Sequence, residues 1–102
     1  MALAAYKIRI IANACVTRND NGEGTLNTIL DTCYSSLAPE DRTSVIEYAC
    51  EKSPDVVGKE VIIRYDSGEG AMNEILGTEY PTLNQNKERV LAYVYSVRSD
   101  IA

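Results

Sequence analysis

The sequence predicts an α+β fold in which a strand–loop–helix–helix module occurs twice and both copies share one core. Three observations predict it. Asp20-Asn21-Gly22-Glu23-Gly24-Thr25-Leu26-Asn27-Thr28-Ile29-Leu30 returns 46 residues later as Asp66-Ser67-Gly68-Glu69-Gly70-Ala71-Met72-Asn73-Glu74-Ile75-Leu76, with seven of the eleven positions identical. Self-similarity at a fixed period marks a structural unit used more than once. Tyr6, Ile8 and Ile10 alternate with Lys7 and Arg9, the period-two pattern of a half-buried strand. Leu26, Ile29, Leu30, Cys33 and Leu37 recur at helical spacing and make one apolar stripe.

The repeat extends beyond its centre. Arg18 and Arg64 each stand two residues before the Asp, and Thr32/Thr78, Tyr34/Tyr80 and Leu37/Leu83 keep the 46-residue offset. After a one-residue deletion, Val45-Ile46-Glu47-Tyr48 aligns with Val90-Leu91-Ala92-Tyr93. A chain of 102 residues fits one domain, and half of it is too short for a comfortable core. One domain over 1–102, made of repeats at about 1–54 and 55–102, is the expected organisation.

In order, a strand is expected over 6–16, with a bulge or turn at Asn13. A polar loop follows from Thr17 to Gly24, rich in turn-forming residues. Gly24 opens a helix, and Asp20 and Glu23 precede it where negative charge suits the helix dipole. Pro39-Glu40-Asp41 starts a second helix, proline costing nothing at a first helical position. Val45, Ile46, Ala49 and Cys50 form its buried side, and Ser53-Pro54 stops it. Val56 to Tyr65 reads as a strand with a bulge at Gly58. The helix from Ala71 to Leu76 is shorter, with Gly77 suited to a left-handed cap. Val90 to Arg98 is read as a helix capped by Asn84 or Asn86. Were 42–52 and 88–98 strands instead, the order would be a ferredoxin-like βαββαβ sandwich.

Composition narrows the function. Net charge is −5, with five basic and seven acidic residues in 1–54 and five and eight in 55–102. No basic arm exists, so no direct nucleic-acid binding is expected. Cys15, Cys33 and Cys50 are odd in number and widely spaced, which suits reduced, buried thiols of a cytoplasmic protein. The N-terminal residues do not form a signal peptide and no run is long enough for a membrane span. There is no His, which removes His-based nucleophilic catalysis. No cofactor and no enzymatic activity are expected.

The repeated loop has four readings. The first is a structural strand-to-helix turn, its glycines supplying backbone conformations closed to other residues. The second is a phosphate cradle, opposed by two carboxylates per loop and by spacing unlike a P-loop. Asp20 to Gly24 resembles the Asp-x-Gly-x-Gly turn of the GHKL ATPases, but over five residues only and in a chain too short for that family's nucleotide fold. The third is a divalent-cation site using Asp20, Glu23 and Asn27 with their counterparts Asp66, Glu69 and Asn73, all hard oxygen donors. The fourth is a protein-contact rim of Asp20, Glu23, Asn27, Tyr34, Asp66, Glu69, Asn73 and Tyr80 beside the apolar seam.

Together these features point to a small acidic, non-enzymatic interaction or regulatory module whose protein partner offers a basic surface. An inhibitor from a phage or accessory gene is one form of it. The rival is the divalent-cation-binding protein. A homodimer formed through pairing of exposed strand edges or exchange of a copy, with tyrosines at the contact, is also expected.

Overall fold

The computed structural model describes residues 3–83 and 86–101. Among them six helices follow one another: α1 (Ala5–Asp20), α2 (Leu26–Cys33), α3 (Pro39–Lys52), α4 (Asp55–Asp66), α5 (Met72–Glu79) and α6 (Asn86–Val97). No strand occurs among the described residues. The chain is a small helical bundle, and this overturns both the α+β expectation and its ferredoxin-like alternative. The strands expected over 6–16 and 56–65 are α1 and α4. With no strand edge, the expected dimerisation through edge pairing loses its basis.

The reason lies in which residues turn inward. Ile8, Ala12 and Cys15 are the buried positions of α1, spaced i, i+4, i+7. Tyr6 and Ile10 are 54% and 62% exposed, so the alternation ending at Ile10 did not mark a core face. Five residues are too few to fix a period, and over the whole segment the helical spacing prevails. In α4, Val56, Val57 and Val61 are fully buried. The helix penalty of a β-branched residue is at most about 0.7 kcal/mol, less than burying its side chain returns.

The glycine expectations shift with the fold. Gly58 lies inside α4, where an added Cβ would come 2.3 Å from Cδ2 of Tyr93 on α6. It marks a close helix–helix approach, not a strand bulge. Gly77 sits in the body of α5, which ends at Tyr80 as its C-cap. Asn13 lies inside α1. α2 begins at Leu26, not Gly24, because the Thr25 hydroxyl accepts from the Thr28 amide at 3.1 Å and caps it. Leu37 falls beyond α2 and packs on the core from the turn before α3. The proposed cap Asn84 lies outside the described residues. Asn86 opens α6 but turns its side chain to Glu47.

The two halves have the same helix order. α1 and α4 end at Asp20 and Asp66, and α2 and α5 span 26–33 and 72–79, all at the 46-residue offset. α1 packs on α2 and α3, as α4 packs on α5 and α6; α3 with α6, α3 with α4, and α1 with α4 join the halves. Leu26 and Met72 both open their helices and are 0% and 5% exposed. One buried cluster draws on all six helices. The symmetry breaks at one point. α1 has 16 residues and α4 has 12, because residues 51–54, the counterparts of 5–8, end α3 and turn the chain into α4.

Candidate functional site

The repeated Asp-x-Gly-Glu-Gly stretch joins helix to helix. Gly22 and Gly68 have φ of +79° and +82°, the left-handed conformation that glycine adopts without a Cβ penalty. The Gly22 amide donates to the Asn19 carbonyl and the Glu23 amide to the Arg18 carbonyl, both at 3.0 Å. In the second copy Gly68 donates to Tyr65 at 3.0 Å and Glu69 to Arg64 at 3.2 Å. This pair of bonds is the Schellman C-cap, which satisfies the last carbonyls of a helix. Its ends are commonly tied by an apolar contact. Here they are tied by an ion pair, Arg18 Nη1 to Glu23 Oε1 at 2.9 Å and Arg64 Nη1 to Glu69 Oε1 at 2.8 Å.

The remaining loop acids also have cations of their own chain. Lys59 Nζ is 4.0 Å from Asp20 Oδ1. Arg98 donates to both oxygens of Asp66, at 2.8 and 3.0 Å, and to Asp100 at 2.9 and 2.8 Å. These hydrogen bonds hold the Asp66 and Asp100 carboxyls below the usual aspartate range. They also raise the Arg98 guanidinium above its ordinary value. The repeated loops therefore carry acids whose charge is largely met internally.

The other four residues expected on a contact rim do not form one. Asn27 is an internal bridge: its Oδ1 accepts from Arg42 Nη2 at 2.9 Å, and its Nδ2 donates to the Glu79 carbonyl at 3.2 Å. Its counterpart Asn73 is exposed. Tyr80 is buried, and its hydroxyl donates to Glu60 Oε1. Burial first, and then the Glu60 carboxylate, push that hydroxyl far above its ordinary pKa, so it remains a donor. Glu60, 5% exposed, also accepts from Arg64 Nε at 3.1 Å, and Arg64 reaches Glu79 Oε1 at 3.3 Å. Glu60 escaped sequence analysis because a single acid in a valine-rich segment carries no spacing signal. The first repeat has Ala14 in its place, so Tyr34 has no equivalent carboxylate and is half-buried. Among the described residues no group of His, Cys, Asp or Glu is gathered to hold a metal ion.

Two thiols are buried, Cys15 and Cys50, and burial pushes them up to about 11 and about 12. Cys33, also expected to be buried, is exposed at the last position of α2. It lines a cavity of about 490 Å³ with Leu3, Ile11, Tyr34, Leu37 and Asp41.

On the other side of Leu3 lies a groove of about 490 Å³ between the first turn of α1 and the middle of α3. Leu3, Ala5, Ile8 and Tyr48 supply its apolar lining, with Thr43, Ser44, Arg9, Glu47 and Glu51 as the polar residues. Leu3 is fixed between the cavities by its amide, which donates to Oδ1 of the buried Asp41 at 2.9 Å. The Lys52 ammonium stands 5.6 Å from the Tyr48 ring centroid, within reach of a cation–π attraction.

The wall that Ala5 and Ile8 give this groove belongs to the first repeat. The extra turn of α1 has no counterpart on α4. Ala12 corresponds to Gly58 and Tyr48 to Tyr93. Glycine at 58 lets the Tyr93 ring lie against the α4 backbone.

No helix of the described residues is long and apolar enough to cross a membrane. No family model matches the sequence, and neither a curated protein nor a solved structure is significantly similar to it.

Proposed function

We propose that this chain is a small non-enzymatic interaction module that binds another protein, and that the α1–α3 groove is its contact surface. The observation that carries the reading is the asymmetry of the duplication. The extra turn of α1, which α4 lacks, gives the groove its wall of Ala5 and Ile8 beside Tyr48, while in the other repeat the Tyr93 ring lies against Gly58. A concave surface with an aromatic side chain and polar edges is the kind of place where a partner's side chains can be buried. The net charge of −5 favours encounter with a basic partner surface.

This moves the emphasis away from the repeated loops. Their carboxylates are paired with Arg18, Lys59, Arg64 and Arg98, an arrangement that serves the helix caps and leaves little charge for a partner or a cation.

The test is capture of partners from extract of the native host by three immobilised proteins. Ser44→Trp, which fills the groove from an exposed position, is expected to lose the wild-type partner. The double variant Glu23→Gln with Glu69→Gln is expected to retain it. Loss in the loop variant with retention in Ser44→Trp would place the contact at the loops and refute this reading.

A further inference from the structure

We propose that the occupant of the α1–α3 groove is an amphipathic helix with one basic and one acidic flank. This rests on the reading of the groove as the contact surface. Three observations carry it.

The groove is walled by two helices lying side by side. On α3 the lining positions Thr43, Ser44, Glu47, Tyr48 and Glu51 fall at i, i+1, i+4, i+5 and i+8, one continuous face of about two turns. On α1, Ala5, Ile8 and Arg9 fall at i, i+3 and i+4. Such a seam receives a third helix whose apolar side chains at i, i+3 or i+4, and i+7 enter between the walls. A peptide adding as a β-strand would need a sheet edge, and the described residues have none.

The two banks carry opposite charge. Arg9 is on the α1 bank, and Glu47 and Glu51 are on the α3 bank. Glu47 is already engaged, accepting from Asn86 Nδ2 at 2.6 Å. Arg9 and Glu51 are exposed, and neither forms an ion pair within the described residues. Lys or Arg along one flank of the incoming helix would meet Glu51, and Asp or Glu along the other would meet Arg9. Opposed charges of this kind also fix the direction in which the helix lies, because reversing it brings like charges together on both banks.

The experiment uses three synthetic amphipathic peptides with the same leucine stripe: one with a Lys flank and a Glu flank, one with Glu on both flanks, and one with Lys on both. Binding is measured by fluorescence anisotropy, and the site by amide chemical shifts of the labelled full chain. The mixed-flank peptide is expected to bind most tightly and to shift Ser44 and Tyr48. Glu51→Arg, an exposed change that leaves helical circular dichroism intact, is expected to weaken it about tenfold. The same variant is expected to gain about tenfold for the Glu-flanked peptide, since an arginine then replaces one of the two carboxylates of the α3 bank. Equal binding of all three peptides at Ser44 and Tyr48 would overturn the assignment of the flanks while leaving the groove as a contact surface. Absence of any shift at Ser44 and Tyr48 with every peptide would overturn both.

Discussion

Tyr93 occupies the space that a side chain on residue 58 would need: a Cβ built on Gly58 meets Tyr93 Cδ2 at 2.3 Å and Cε2 at 2.8 Å. The contact lets α4 and α6 approach closely. Gly58→Ala is therefore expected to cost about 1–3 kcal/mol through overpacking, measured by urea unfolding. In a Tyr93→Ala background the same change is expected to stabilise, by up to about 1 kcal/mol, because alanine is the better helix former. A cost that survives loss of the ring would mean that the ring is not the obstacle.

Tyr80 and Tyr34 are counterparts with unequal work. Tyr80 donates to the buried Glu60, whose counterpart in the first repeat is Ala14. Tyr80→Phe is expected to destabilise by about 1–3 kcal/mol by depriving a buried carboxylate of a donor. Tyr34→Phe should stay within about 0.5 kcal/mol of wild type. Chemical denaturation of the two variants decides this, and equal losses would contradict the role given to Glu60.

The two loop arginines differ in the same sense. Arg18 bonds Glu23 alone at the surface, whereas Arg64 joins Glu60, Glu69 and Glu79. Arg18→Ala is expected to cost less than about 1 kcal/mol. Arg64→Ala, which strips a partner from a buried carboxylate, is expected to cost about 2–3 kcal/mol. Matching thermal shifts would show that the Glu60 network does not depend on Arg64.

Thiol chemistry reports burial and pH dependence together. In the native chain at neutral pH a thiol reagent is expected to modify Cys33 quickly, and Cys15 and Cys50 only after unfolding. Burial raises the last two from 9.0 to about 11 and about 12. Between those values the unfolded chain gives up thiol protons that the folded chain keeps. It binds fewer protons, so stability falls as pH rises. Their contribution is whole below pH 9 and is lost on going up through 11 to 12. Melting temperature against pH checks this, and Cys50→Ala should flatten the decline.

Much of this molecule was legible before its structure. The 46-residue repeat appears as matching helix boundaries, and α2, α3, α5 and α6 lie where helical spacing put helices. α1 and α4 were misread from a short alternation and a run of β-branched residues. A better signal was present in the repeated motif. Arg18 four residues before Gly22, and Arg64 four before Gly68, are a basic last turn and a left-handed cap, the mark of a helix ending there. The groove depends on how α1 and α3 pack, and in sequence only the exchange Ile8/Pro54 hints at it.

The central claim is that a partner protein sits in the α1–α3 groove. Its most direct test is photo-crosslinking in the native host, with a photoreactive amino acid placed at Ser44, inside the groove, or at Asn73, exposed on α5. A discrete partner adduct is expected from position 44 and none from position 73. Adducts from 73 alone would contradict it.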